Sequence, residues 1–117
     1  MRKTYRYKQL EYAVADDTPV VFSVEFISNG NTGQTGINVP GPNDKDIPNS
    51  GSEIIGTGAD LRSERTICVS DIANLIPEED EIVIQYKLNG DIIQIHRNDK
   101  EEEERPIIVL IIKFTAL

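Results

Sequence analysis

A chain of 117 residues, 38% hydrophobic and 27% charged, has the size and composition of one globular domain that buries a core without help from disulfide or metal. Its formal net charge of −8 argues against sequence-independent binding to nucleic acid or anionic membranes, both of which attract cations. A single cysteine, Cys68, excludes an internal disulfide, and one cysteine with one histidine cannot complete a tetrahedral transition-metal set.

The opening "MRKTYRYKQLEYAV" begins with positive charge but has no apolar run behind it, because Tyr5, Tyr7, Gln9 and Glu11 interrupt. No classical export signal is read, and a cytoplasmic, assembly-compatible location is the expectation. The segment alternates as a strand, but its parity changes from Tyr5 and Tyr7 to Leu10, Tyr12 and Val14. A bulge near Lys8-Gln9, or a crossing between sheets, accounts for that switch. Arg2, Lys3, Arg6 and Lys8 read as charges that protect an edge strand, or that complement the acidic run "NDKEEEE", rather than as a nucleic-acid stripe. "ADDTP" turns the chain, and "VVFSVEFIS" returns as the second strand of a hairpin with Val20, Phe22, Val24 and Phe26 on one side.

Residues 29–60 hold seven of the eight glycines and read as a long loop excursion across the end or edge of a sheet, with "INV" and "EIIG" as short strands inside it. Two glycine patterns there fail as phosphate sites. In "GSEIIGTG", Thr57 stands where a phosphate loop needs lysine, and in "GTGADL", Leu61 replaces the third glycine of a dinucleotide fingerprint. "NDKDIPNSGSE" is rich in oxygen ligands, but Pro48 and Asn49 break EF-hand spacing. Asp44 and Asp46 remain as weak candidates for a looser calcium loop.

"SERTICVS" reads as a strand and "SDIANLIP" as one helical turn near 71–76, with Ser70 as its N-cap, Asp71 at the positive end and Pro77 as the stop. The strongest local signal is "EIVIQYKLNGDIIQIHR". Its Asn89-Gly90 pair suits a type I′ turn, which would set Leu88 against Asp91, Tyr86 against Ile93 and Ile84 against Ile95. His96 then falls on the face of Gln85, Lys87 and Gln94, expected to meet solvent. The closing "PIIVLIIKFTAL" is a strand by its β-branched content. Lys113 fixes its outward parity, so Ile108, Leu110, Ile112 and Phe114 face the core. Ile107, Val109 and Ile111 lie on the other face and call for a second cover, expected first from the 29–60 loop and otherwise from another protein. Six apolar residues before Lys113 are far short of the roughly 20 that span a bilayer as a helix, so no membrane insertion is expected.

Six to eight short strands with turns between them imply an all-β, single-domain antiparallel sandwich over residues 1–117, with Greek-key connections. The stretch "TICVSDIANLIPEEDEIVIQYKLNG", with Leu75 and Pro77 placed as in a Leu-x-Pro turn, resembles the strand–turn–strand of fibronectin type III and other immunoglobulin-like sandwiches. It has no corner tyrosine, and the chain has no tryptophan. Functionally, the absence of a nucleophile elbow or an activated Cys–His pair points away from an enzyme, and no cofactor is implied. The expected function is a protein–protein interaction or structural module, a subunit of a bacterial or phage-like assembly or a self-associating chain. The alternative is a loop-based calcium or carbohydrate module, although residues 29–60 offer no aromatic platform for a sugar.

Overall fold

The computed structural model describes residues 2–28, 30–74 and 76–117. Among them are nine strands and one short helix: β1 (Thr4–Ala13), β2 (Pro19–Phe26), β3 (Asn31–Asn38), β4 (Lys45–Pro48), β5 (Gly51–Thr57), α1 (Gly58–Leu61), β6 (Thr66–Asn74), β7 (Glu81–Leu88), β8 (Asp91–Asp99) and β9 (Ile107–Thr115). They form an all-β sandwich. One sheet has the order β1-β9-β6-β3-β4 and the other β5-β2-β7-β8. Alternating apolar residues drive the two sheets together: Val20, Phe22 and Val24 from one side meet Ile108, Leu110 and Ile112 from the other, all essentially without exposed surface.

Several local expectations change. The first two strands are not a hairpin. β1 pairs with β9, and in parallel, while β2 pairs with β5 and β7 in the opposite sheet. The apolar face of β1 is satisfied by Ile108, Leu110 and Phe114 next to it, a long-range match that local pattern does not reveal. The expected bulge is present, since the β1 register shifts between Tyr7 and Leu10 and brings Leu10 and Tyr12 level with the inward Ile112 and Phe114. Residues 29–60 are mostly not loop. β3, β4 and β5 occupy them, with Thr35, Ile37, Ile47 and Ile55 buried, which raises the strand count above the expected range. Their many glycines hid the alternation.

Over the described residues 71–74 the expected helical turn is replaced by strand. Residues 66–74 are one strand, because Thr66, Cys68, Ser70 and Ile72 alternate inward and β6 gains a neighbour on both sides. Leu75 of the Leu-x-Pro pattern lies outside the described residues. The helix instead forms at the "GTGADL" glycines. Thr57 caps it, its hydroxyl accepting from Asp60 N while the Asp60 carboxylate accepts from Thr57 N, both at 3.3 Å. Here Gly58 has a packing reason. Its N–H donates to Thr18 O and the next N–H to Asp16 O, so α1 is laced onto the β1–β2 connection. A β-carbon on Gly58 would overlap the Ala15 carbonyl oxygen and press on Val14 Cγ1. Gly58→Ala is expected to cost about 2 kcal/mol, read as a lower midpoint in urea unfolding with an unchanged slope.

The β7–β8 hairpin turns at Asn89-Gly90 as expected, both with positive φ, but its register slips after the turn. Leu88 pairs with Asp91 and Lys87 with Ile92, then Tyr86 pairs with Gln94 and Ile84 with His96. Ile93 is the extra residue of a bulge. A one-residue slip exchanges the two faces of a strand, so Ile95 turns outward and His96 and Asn98 turn in, both buried.

Candidate functional site

Two groups of polar residues hold the sheets together. Inside the core, Tyr86 O–H donates to Ser70 Oγ at 2.8 Å, and the Thr35 and Ser70 hydroxyls share a hydrogen bond of 2.7 Å. Ser70, expected as a helix cap, thus joins β3 and β6 to β7. Burial pushes the Tyr86 hydroxyl well above its ordinary pKa, so it stays protonated and available as donor. The second group closes the side where β1 lies beside β8. His96 Nδ1 is 2.8 Å from Tyr7 Oη and Nε2 is 2.7 Å from Asn98 Oδ1. The Asn98 amide nitrogen already donates to Asp99 O and Glu103 O, so its oxygen faces the imidazole and Nε2 carries the proton. Nδ1 then accepts from Tyr7. Burial lowers the His96 pKa, which agrees with a neutral ring. Tyr5 packs edge-on to the same ring at 4.6 Å between centroids.

This arrangement gives His96 a structural position with both nitrogens occupied, in place of the solvent-facing one that the simple hairpin register implies. Cys68 is fully buried, and its thiol pKa is raised by desolvation, which keeps it a protonated, unreactive core residue. The N-terminal cations divide. Lys3 does meet the acidic run, with Nζ 2.6 Å from Glu102, while its backbone N–H donates to Glu103 and Arg2 pairs with Asp71. Arg6 and Lys8 take part in none of the ion pairs found among the described residues.

The outer face of the five-stranded sheet is the candidate site. β9 runs between β1 and β6, so Ile107, Val109 and Ile111 point outward side by side and are half-buried by their lateral neighbours. The expected cover from residues 29–60 does not exist in that form, because β3 and β4 extend the same sheet sideways instead of folding over it. β6 adds two residues that the final strand alone could not reveal: Ile67, level with Ile111, and Val69, level with Val109, exposed by 37% and 41%. Their signal was present in "TICVS", where Ile67 and Val69 occupy the parity opposite to buried Cys68 and Ser70. What the residue pattern did not show was that β6 lies against β9. Gly36 of β3 stands beside Val69, and the lack of a side chain there leaves a shallow hollow of about 340 Å³ reaching to Asp44 and Asp46.

The structure therefore brings the two sets of sequence candidates onto one surface. Asp46 is exposed and lies level with Gly36. Asp44 is engaged by its own loop. Its Oδ1 accepts from Val39 N at 3.0 Å, and both its oxygens accept from the Asn38 amide nitrogen, at 3.0 and 2.9 Å, in the amide orientation that satisfies both groups. A cation at Asp44 would have to compete with these hydrogen bonds. Among the described residues, no group of three or more His, Cys, Asp or Glu is placed to hold a metal ion, and no helix is long and apolar enough to cross a membrane.

Fold and surface together define an all-β sandwich with an apolar stripe across the solvent face of its larger sheet. Compared with known proteins, the chain matches no family model and no curated protein.

Proposed function

We propose that this chain is a non-enzymatic interaction module, a subunit of a larger protein assembly, and that the outer face of the five-stranded sheet is its contact surface. The observation that carries this reading is the set of five β-branched residues, Ile67, Val69, Ile107, Val109 and Ile111, contiguous on two central strands that face solvent. A sandwich sheet needs one apolar face for its core, and contiguous apolar surface beyond that is where proteins meet other proteins. The immunoglobulin-like resemblance suits a scaffold role of this kind, although fold alone does not assign function. The hydrogen bonds of Asp44 lend no support to the calcium version of the alternative.

Val69→Lys tests the proposal. Val69 is already substantially exposed, so thermal stability should move by no more than about 0.5 kcal/mol. The tagged chain expressed in its native host should retain a stoichiometric partner, or a second copy of itself, that Val69→Lys loses. Partner retention unchanged by both Val69→Lys and Ile111→Lys would place the contact elsewhere and overturn the proposal.

A further inference from the structure

We infer that the partner on this face is a second copy of the same chain, related by a two-fold axis that runs along β6; the inference rests on the interaction reading above and names its occupant. The strand register sets whole rows of residues level across the sheet. Arg6 is level with Val109, Val109 with Val69, Val69 with Gly36, and Gly36 with Asp46. All five are on the outer face. In the next row, Ile111 is level with Ile67 and Ile67 with Asn38, which hydrogen-bonds Asp44, while Lys8 lies in the β1 bulge at the other edge. The first row thus reads cation, apolar, apolar, glycine, carboxylate, and the second carries the same signs of charge near its two ends.

β6 is the middle strand of the five, so rotation by 180° about it exchanges the two edges. Two such faces laid together put Arg6 of each copy over Asp46 of the other. Val109 enters the hollow at Gly36, and Val69 and Ile67 meet their own equivalents on the axis. The match is isologous, every contact occurring twice, as a two-fold dimer requires. It also resolves a difficulty, because a chain with net charge −8 should repel its own copy. In these two rows the charges at the two ends are opposite in sign, and Arg6, Lys8 and Asp46 enter none of the ion pairs found among the described residues. Asp71, farther along β6, has its charge met by Arg2. Five strands at about 4.8 Å spacing, over some six residues at about 3.4 Å, give about 500 Å² per copy. That is at the low end of specific interfaces, so the dimer should be weak and concentration-dependent.

Sedimentation velocity on the intact chain, from low micromolar to millimolar concentration, tests the inference. A monomer–dimer equilibrium is expected, weakened by salt. Arg6→Asp and Asp46→Arg, each alone, should weaken the dimer about tenfold or more. An equimolar mixture of the two variants should recover it, because each variant then presents the charge the other lacks. A chain that stays monomeric at millimolar concentration overturns the inference, as does a dimer indifferent to both reversals or a mixture that fails to recover. A monomer leaves the interaction reading to its own test, the loss of a host partner on Val69→Lys.

Discussion

Ser70→Ala is expected to destabilise the protein by about 3 kcal/mol, well above the cost of the hydroxyl it removes. Ser70 accepts from Tyr86 and shares a second hydrogen bond with Thr35, and all three residues are buried. Alanine leaves two hydroxyls in the core without that partner, and each such group costs about 1–3 kcal/mol. Tyr86→Phe removes the same Tyr86–Ser70 bond from the other end and should cost only about 1 kcal/mol, since Ser70 keeps Thr35. The double variant should then cost less than the sum of the two, because phenylalanine takes away the orphan that alanine created. Urea unfolding of the four proteins measures this directly. Additive losses would mean that the Ser70–Tyr86 bond contributes nothing to the junction between the sheets.

Acid should lower the stability of the protein in two separable stages, and His96 accounts for the upper one. Its pKa is lowered in the folded state from the ordinary value of 6.5, chiefly by burial. The unfolded chain therefore binds a proton first as pH falls. Stability is full above about pH 6.5 and declines below it, with a slope approaching about 1.4 kcal/mol per pH unit until the folded-state pKa is reached. Protonation would also put a donor on Nδ1, where the ring now accepts from Tyr7. Asp71, Glu102 and Glu103 have pKa values lowered mainly by hydrogen bonds from Arg2 and Lys3. Their contribution is present above the ordinary carboxylate range and is lost as pH falls through and below it. His96→Gln can still donate to Asn98 and accept from Tyr7, so it should abolish the decline that begins near pH 6.5 and keep the lower stage. Chemical denaturation at intervals from pH 8 to pH 3 reads both. A decline near pH 6.5 that persists in His96→Gln would remove His96 as its cause.

Much of the sandwich was legible where burial imposes strict alternation. Val20, Phe22 and Val24 on β2, and Ile108, Leu110, Ile112 and Phe114 on β9, are inward as their pattern states. The β1 bulge showed as a change of parity, and Asn89-Gly90 announced its turn. Legibility failed where glycine replaced the side chains that carry the pattern. Gly33 and Gly36 conceal β3, and the glycine-rich stretch that reads as loop supplies an edge strand to each sheet, β4 to one and β5 to the other. It failed again at residues 71–74, where Ser70 and Asp71 resemble a helix start. There the pairing of β6 with β3 and β9 outweighs a local cap, because each strand neighbour satisfies a whole row of backbone groups.

The candidate site divides in the same way. Residue order was enough to establish that the closing strand is apolar on both faces, that Arg6 and Lys8 stand on a strand, and that Asp44 and Asp46 lie in a polar segment apart from them. Their union on one surface, with Arg6, Val109, Val69, Gly36 and Asp46 in a single row, is a product of the folded arrangement. So is the inward turn of His96, through one extra residue at Ile93. The physical reason is common to both. Side-chain parity along a strand is a local property written in the chain. Which strands lie side by side, and in what register, is settled by long-range packing that a residue pattern of period two leaves open.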